Sequence, residues 1–576
     1  MSWLSGHWVS WAIFLPLAFS AGIALLPRDE SRQIQGVAWV GMVLNFLCTL
    51  GIYLGLSPKG PEFQMEERVA WMADLGISYH VGVDGLSASL MLLTGFLGPV
   101  VVWASAATVT ERVKEFHLAL LVLQAAMLGA LASLDIVLFY VFWEAMLIPM
   151  YLLVGVWGSE DRIAAAVKFF LYTLVGSFLM LVAILAVYYV SQPVGPRSFD
   201  LAQIYNALIA ANRELSACSA AGDGCTHLAG LALSLKTYGP WMFAAFALAF
   251  AVKVPMFPLH TWLPDAHVQA PMAGSVILAG VMLKMGTYGF WRYAIPLFPT
   301  AAREARPVLA TLAVVGIVYG AMMCLAQRDV KKLIAYSSVS HLGFCMLGML
   351  ALTAEGASGS AFQMLNHGLS TGALFLLFGL LYARRHSRLM ADYGGIAKVM
   401  PVFAAFFLVV TFSSIAVPGT NGFVGEFLVL LGTFKSSLPT SMGLVAGTAV
   451  VLGAAYMLWM VQRVFFGPLT HGENQHLVDL RPPEVAAVLP FVVLVLVLGL
   501  HPQPFLERLA PAADHFVARA TLGTPGASLS DDAVRMAAVE LPGPVPSPSP
   551  VAAPARLVAQ PRPAAPVLQA VPRAHP

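Results

Sequence analysis

The amino-acid sequence predicts an all-α polytopic membrane protein with about 14 transmembrane helices, because of its composition and the length of its apolar runs. Of its 576 residues, 59% are apolar and only 11% are charged, whereas about 25% of residues are charged in a soluble domain. A span needs about 20 apolar residues, and such runs recur along most of the chain. The net charge is +2 and the basic residues are dispersed, so we expect membrane lipids around the chain and no nucleic-acid partner.

Fourteen apolar runs are long enough to cross a bilayer. The first has no Lys or Arg before it, so it lacks the positive start of a signal peptide and is interpreted as a membrane helix. Only the short link LASLD separates the fourth run from the fifth. The predicted spans are 8–26, 37–56, 84–108, 116–134, 136–157, 164–190, 241–263, 274–298, 306–325, 332–352, 361–382, 401–432, 444–466 and 485–501.

Lys and Arg in the short loops predict the orientation. Loops on one side of the predicted membrane contain more Lys and Arg than loops on the other side. The loops with fewer Lys and Arg, among which we count Arg292, are expected on the outer side. Both termini then face outward, as does the longest loop, 191–238. Cys218 and Cys225 in that loop could form a disulfide or stay unpaired.

Lys253 lies in an apolar run where a lysine is costly. A lysine at the bilayer centre costs about 2.5–3.5 kcal/mol on insertion scales, and Pro255 breaks the same helix. Glu144, in the fifth span, is the natural partner for this lysine. The two could form a static ion pair that joins two helices, or they could exchange protons.

Further ionisable residues lie in other spans, which favours a proton relay over a single structural ion pair. They are Lys284, His341, His367 and Glu426. Before Glu426, Pro418 and Gly419 interrupt a second apolar run. Two interrupted spans, one in each half, are the sequence indication of inverted structural repeats, and we predict two repeats of five helices with two discontinuous helices.

Other polar residues have ordinary structural explanations as well as functional ones. Asp84 and Asp135 stand at span starts, where a carboxylate caps a helix. Lys168 could snorkel or pair with a carboxylate. Three polar residues of the segment PLHTWLPDAH are expected at the inner mouth of the proton path: His260, Asp265 and His267. They could guide protons or serve as ordinary interface residues.

Histidines and cysteines allow a test for bound redox groups. His341 and His367 on neighbouring spans could ligate a haem, but a haem would leave the buried Lys and Glu residues unexplained. The five cysteines form no CxxC pair, which argues against an iron–sulfur or zinc site. We therefore predict no cofactor and no metal on this chain.

Two segments carry a family resemblance. FALAFAVKVPMFPLHTWLPDAHVQAPMAGSVILAGVMLKMGTYG and KKLIAYSSVSHLGF resemble the antiporter-type core shared by the large membrane subunits of respiratory complex I and by multisubunit cation/proton antiporters, over about residues 80–470. Glu426 in GFVGEF is similar to the M-type subunits of complex I, since L- and N-type subunits and most stand-alone antiporter subunits carry lysine there. The L-type also continues into a long lateral helix, which the Pro/Ala-rich end of this chain cannot supply.

The resemblance implies a role for each buried charge. Glu144 and Lys253 would be the coupled pair of the input half, Lys284 the central relay, and Glu426 the end of the path toward the outside. His341 and His367 would occupy the hydrated link between Lys284 and Glu426.

The resemblance also implies the surroundings and the division of the chain. The chain would be a proton-translocating subunit of NADH:quinone oxidoreductase in a bacterial inner membrane, next to L- and N-type subunits, with FMN, iron–sulfur clusters and quinone in partner subunits. The alternatives are a subunit of a Na⁺/H⁺ antiporter and a purely structural scaffold. The expected segments are 1–110 (first helices), 111–300 and 301–470 (two antiporter-like halves), 471–510 (last helix) and 511–576 (disordered Pro/Ala-rich tail).

Overall fold

Helices make up most of the fold in the computed structural model, which describes residues 6–191, 197–221, 228–522 and 536–539, without the side chains of residues 212–235. In the described residues, twelve helices are long and apolar enough to span a membrane. They are α1 (Trp8–Leu25), α2 (Ser31–Gly55), α3 (Gly85–Ser105), α4 (Val113–Ala132), α5 (Ile136–Trp157), α6 (Arg162–Val190), α10 (Met272–Leu297), α11 (Pro299–Leu325), α12 (Val330–Ala351), α13 (Ala354–Arg385), α16 (Thr440–Phe465) and α17 (Pro482–Leu500).

The other predicted spans correspond to two interrupted helices. The first consists of α8 (Leu228–Lys253) and α9 (Trp262–Gln269), and the second of α14 (Pro401–Ser414) and α15 (Asn421–Lys435). The all-α polytopic class is therefore confirmed, whereas the number of fourteen and the inverted repeats stay predictions.

The two halves nevertheless share local geometry. Asp135 before α5 and Asp329 before α12 each accept hydrogen bonds from the first turn of their helix. Each also forms an isolated antiparallel bridge with the segment after the next helix, at Asp200 and Leu389 respectively. Both bridges use the same pair of backbone hydrogen bonds, 2.8–3.0 Å long. This correspondence is what a repeated five-helix unit would produce.

Several elements lie outside the predicted spans. An antiparallel hairpin is formed by β1 (Gln64–Met72) and β2 (Ile77–Val83). The long loop 191–238 contains α7 (Leu201–Ala221) and the start of α8. After α17, α18 (Gln503–Ala520) continues ten residues beyond the start assigned to the tail at 511. The disulfide hypothesis for Cys218 and Cys225, and the tail from 540 onward, fall outside the described side chains and residues.

The most buried spans, α10, α12 and α13, form the centre of the bundle. The helices alternate in direction, so we call the end that holds the hairpin and α18 the hairpin end. The opposite end holds the connections around 26–30, 106–112, 158–161, 326–329 and 386–400, and we call it the basic end. Short 3₁₀ turns complete the connections, at Ala73–Leu75, Met390–Asp392, Ile396–Lys398 and Gly472–His476.

Candidate functional site

Lys253 is the last residue of α8, at the first helix break. Pro255 has a positive φ of 27°, and the amide of Met256 donates to Ala251 O at 2.9 Å, five residues back. This bond is the one that closes a helix in a Schellman cap. Trp262, which begins α9, donates its indole N–H to Val252 O at 2.9 Å. The break is thus a closed, hydrogen-bonded turn with Lys253 at its edge.

The ammonium group of Lys253 has no hydrogen-bond partner among the described residues, although the side chain is only 1% exposed. Its Nζ lies over two aromatic rings, 5.3 Å from the centre of Trp143 and 5.4 Å from that of Phe169. Desolvated contacts of this kind contribute about 2 kcal/mol. The aromatic faces therefore hold the lysine in place of an ion pair.

Glu144 does not contact Lys253, which corrects the predicted direct pair. No salt bridge within 4 Å joins the two in the described part of the chain, and Glu144 Oε1 has no hydrogen-bond partner there. Instead, Trp143, the neighbour of Glu144 in the chain, lies against the ammonium group.

Lys284 lies at the centre of the bundle, fully buried in α10. Its Nζ donates to Ala279 O and lies 2.6 Å from His367 Nδ1. Residues Leu278–Met282 and Phe290–Ala294 of α10 are π-helical. A π-helical turn departs from the i−4 bonding pattern, and here the lysine side chain bonds to a carbonyl of that turn.

Two imidazoles connect Lys284 to Glu426. The ring centres of His367 and His341 are 5.7 Å apart. His341 Nδ1 then lies 3.0 Å from Glu426 Oε1, which also accepts from Gln363 Nε2 at 3.3 Å. All of these side chains are buried. The structure therefore brings Lys284, both histidines and Glu426 into one row.

The row is not joined to Lys253 by hydrogen bonds among the described side chains. Packing does join their helices, since a Cβ placed on Gly286 of α10 would lie 2.7 Å from both Phe250 O and Val254 N beside the break. A side chain at this position would separate the two helices. Lys253 and the Lys284 row are thus held side by side by backbone contact.

The second break surrounds Glu426 with polar side chains. Ser413 donates to Asn421 Oδ1 at 2.5 Å across the break, and Asn366 Nδ2 donates to Asn421 O at 2.7 Å. Ser414 Oγ lies 3.5 Å from His341 Nε2. Buried Asn366 Oδ1 and Asn421 Nδ2 have no described partner, and such atoms are the usual positions for a buried water.

Of the residues expected at the inner mouth, only the acidic one is open to solvent. Asp265 pairs with Lys168 at 2.7 Å, and both side chains are partly exposed. They line an open cavity of about 730 Å³ at the basic end. His260 is 3% exposed. His267 is fully buried, neither of its ring nitrogens has a hydrogen-bond partner among the described residues, and its ring stacks 4.6 Å from Phe375. The histidines therefore lie behind the mouth and not at it.

Asp135 and Asp84 both cap helices, which is the structural explanation that the sequence allowed for each of them. Asp135 accepts from the amides of Val137 and Leu138 at 2.9 and 3.1 Å. Asp84 forms a capping box with Ser87 at the start of α3.

Asp84 also pairs with Arg292, a residue that the loop count placed outside the membrane. Arg292 lies within α10, two turns after Lys284, and is 2% exposed. At this hairpin end Glu62 pairs with Arg519 of α18 through both guanidinium nitrogens and lies 3.9 Å from Arg292. The position of Arg292 within an apolar run was the signal that could have revealed this network.

A second charged cluster fastens the hairpin. His80 lies between Asp200 Oδ2 at 2.8 Å and Glu66 Oε2 at 2.9 Å, and Arg68 pairs with Asp200 at 3.3 Å. Burial lowers the pKa of His80, but the hydrogen bonds to the two carboxylates outweigh burial and raise the pKa to about 9. His80 is therefore a cation at neutral pH.

Comparison with known proteins places the chain in a family. Residues 133–453 match the family described as NADH:quinone oxidoreductase/Mrp antiporter, TM. The chain is 44% identical to the NADH-quinone oxidoreductase subunit M of Rhodobacter capsulatus over 520 residues, covering 89% of this chain and 97% of the relative.

Solved structures agree with this placement. A chain of respiratory complex I from Thermus thermophilus matches with a TM-score of 0.76 and 33% identity, covering 89% of this chain and 99% of that one. A chain of the Mrp complex from Dietzia sp. shares the fold, with a TM-score of 0.74 and 20% identity over 93% of this chain and 99% of that one. The chain therefore belongs to the NADH:quinone oxidoreductase/Mrp antiporter transmembrane family, within its subunit M branch.

Proposed function

We propose that this chain moves protons across a membrane as the M subunit of an NADH:quinone oxidoreductase. The observation that carries the proposal is the buried row Lys284–His367–His341–Glu426. In this row the amine of Lys284 lies 2.6 Å from the His367 ring, and the His341 ring lies 3.0 Å from the Glu426 carboxylate. Such groups can each take up and release a proton, and these separations are within reach for transfer. One 5.7 Å interval between ring centres could be bridged by a single water.

Lys253 would act as the switch on the input side. It is buried without a hydrogen-bond partner in the described part of the chain, so we expect its charged form to depend on the aromatic rings and on Glu144. Movement toward Glu144 would stabilise the ammonium form, and movement away would release the proton toward Lys284. A change of about 2.7 kcal/mol along this motion would alter the ratio of protonated to neutral Lys253 about 100-fold, and the redox-driven subunits would have to supply it.

Protons would reach the row from the basic end. The open cavity beside Lys168 and Asp265 gives access to water. Behind it, His260 Nδ1 and both ring nitrogens of His267 have no hydrogen-bond partner among the described residues. Unpartnered imidazoles in a buried site are suited to hold waters. Glu426 would deliver the proton toward the hairpin end.

The position of Glu144 supports a neighbouring subunit. It shares a face of α5 with Val141 and Ile148, which are 42% and 63% exposed. A carboxylate facing lipid is costly, so this face is expected to be covered by another membrane subunit. We propose L- and N-type subunits as these neighbours, in a bacterial inner membrane with both termini of this chain on the outer side.

Redox chemistry is assigned to other subunits. We propose that FMN, iron–sulfur clusters and quinone are bound by partners and that this chain has no redox centre. The purified complex, rather than this chain alone, is then the unit that oxidises NADH.

The test uses the intact complex in proteoliposomes, with NADH-driven acidification and NADH oxidation measured together. Lys284→Ala and Glu426→Gln should lower the number of protons moved per NADH. Lys435→Ala is the matched control, because Lys435 ends the same helix as Glu426 and pairs with Glu355 at the surface. Normal proton yield in both relay variants would reject the proposed row.

The rival function, Na⁺/H⁺ antiport, is tested in the same vesicles. If an imposed Na⁺ gradient drove proton movement without NADH, and Glu426→Gln abolished that movement, the redox-driven assignment would fail. Acidification that requires NADH and is insensitive to the Na⁺ gradient supports the proposal.

A further inference from the structure

A second cavity opens at the basic end, apart from the proton row. Its volume is about 490 Å³, within the range of about 300–1,000 Å³ that small-molecule sites occupy. The connections before α4 and α6, the start of α10 and the last turns of α13 enclose it. We call it the Arg162 pocket.

The rim of the Arg162 pocket is basic. Arg162, Lys331 and Arg388 line it, and Glu111 is the one acidic side chain among the described lining residues. Among the described residues, Arg162 makes one hydrogen bond, from Nη1 to Gly158 O at 3.2 Å, and it is exposed. Most of its five donors therefore remain for an anion.

The other two basic side chains, Lys331 and Arg388, also keep free donors. Lys331 Nζ donates to Val268 O and Ala270 O at 3.3 and 2.6 Å, which uses two of its three N–H groups. Arg388 donates from Nη1 to Val268 O at 3.1 Å, and its Nε lies 3.4 Å from Asp329. An anion at the rim would thus meet three basic side chains, each with N–H groups left to donate.

The inner wall of the Arg162 pocket is apolar. Met272, Phe375 and Phe378 form it, and Tyr382 follows one turn later along α13 with 36% of its surface exposed. Trp157 at the rim donates its indole N–H to Glu111 O at 2.9 Å, and Trp and Tyr are enriched at the level of lipid headgroups. A basic rim above an apolar wall is complementary to the phosphate and acyl chain of a phospholipid at the membrane surface.

We propose that the Arg162 pocket binds the phosphate of an anionic phospholipid, with an acyl chain along the apolar wall. Basic pockets between transmembrane helices bind anionic headgroups in this way. A free phosphate ion would satisfy the rim but would not contact the apolar wall. The site is independent of the proton row and does not rest on the proposed function.

The bound lipid would touch the groups that hold α9. Lys331 and Arg388 donate to carbonyl oxygens at the end of α9. The amide of Ser159 also donates to Gln269 O at 2.9 Å. α9 carries His267, whose ring stacks on Phe375 of the pocket wall. Occupancy of the pocket would therefore stabilise the position of this buried histidine.

The test maps lipid contacts in the intact complex. A photoactivatable phosphatidylglycerol is crosslinked to the detergent-purified, delipidated complex, and labelled peptides around Tyr382 are quantified by mass spectrometry. Unlabelled phosphatidylglycerol should compete, and phosphatidylcholine with the same chains should compete poorly. Each basic residue near a membrane surface contributes about 1 kcal/mol, so Arg162→Gln should weaken competition about fivefold.

Matched variants make the sign of the effect informative. Glu111→Gln removes the acidic residue and should strengthen competition about fivefold, whereas exposed Lys398→Gln at the same end should change nothing. Equal competition by both lipids, absence of label from this peptide, or changes of the same sign in Arg162→Gln and Glu111→Gln would overturn the proposal. Competition by glycerol 3-phosphate equal to that of the lipid would assign the rim to a free phosphate and would also overturn it.

Discussion

His367 is the residue whose replacement tests the proton row most directly. Its Nδ1 lies 2.6 Å from Lys284 Nζ, and its ring centre lies 5.7 Å from that of His341. A hydrogen bond to a charged group contributes about 1.5–3 kcal/mol, which changes the ratio of charged to neutral Lys284 about 10- to 150-fold. Without the ring, the next imidazole is more than one hydrogen bond away from Lys284.

Two substitutions separate transfer from packing. His367→Gln keeps an acceptor for Lys284 but cannot act as an imidazole proton carrier, so the complex should assemble while protons moved per NADH decrease. His367→Phe keeps an aromatic ring and removes the acceptor, so it should lower both proton yield and thermal stability. The assay is NADH-driven acidification of proteoliposomes beside NADH:ferricyanide activity, which we expect to be unchanged.

His117→Phe provides the control for these variants. His117 is another fully buried histidine, in α4, where its Nδ1 bonds only locally to Val113 O at 2.7 Å. It should keep the normal proton yield. A normal yield in His367→Gln would refute the row as the proton route, and an equal loss in His117→Phe would show that the assay reports packing.

Three other substitutions test how the site is held. Arg292→Gln leaves buried Asp84 without its partner and should cost about 3–5 kcal/mol, seen as a lower melting temperature that Asp84→Asn in the same chain partly restores. His80 has a pKa raised from 6.5 to about 9. Its contribution of about 3 kcal/mol to folding stability is therefore complete below pH 6.5 and is lost as pH rises through 9. Hydrogen exchange of the hairpin, corrected for intrinsic rates, should show this loss of stability, and His80→Gln should abolish the pH dependence. Gly286→Ala would place a Cβ 2.7 Å from Phe250 O, so proton yield should fall while NADH:ferricyanide activity stays normal; an unchanged yield would show that this contact is not needed.

The membrane helices were predictable because their signal is local. The run predicted at 485–501 appears as Pro482–Leu500, and the run at 8–26 as Trp8–Leu25. The hairpin was missed because long-range contacts fix it, above all the bond between His80 and Asp200, which are 120 residues apart. A single sequence does not indicate such pairings.

The candidate site was likewise predictable only in part. Residue types and span positions pointed to Lys284 and Glu426, and the structure places both in one row. The separation of Glu144 from Lys253 was not predictable, because it depends on Trp143 and Phe169 occupying the space around the ammonium group. Loop counting likewise could not show that Arg292 has a buried carboxylate as its partner.

The two helix breaks share a backbone motif but present different side chains, and this difference can give transport its direction. At both breaks an amide bonds five residues back, Met256 to Ala251 and Val417 to Phe412 at 2.9 and 3.0 Å, after a residue with positive φ. The position two residues before that residue is Lys253 in the first break and Ser414 in the second. A lysine can hold or release a proton, whereas a serine only passes one on. Under the proposed function, the same turn would serve as a switch in the first half and as a passive contact to His341 in the second, which would place control of the proton on the input side.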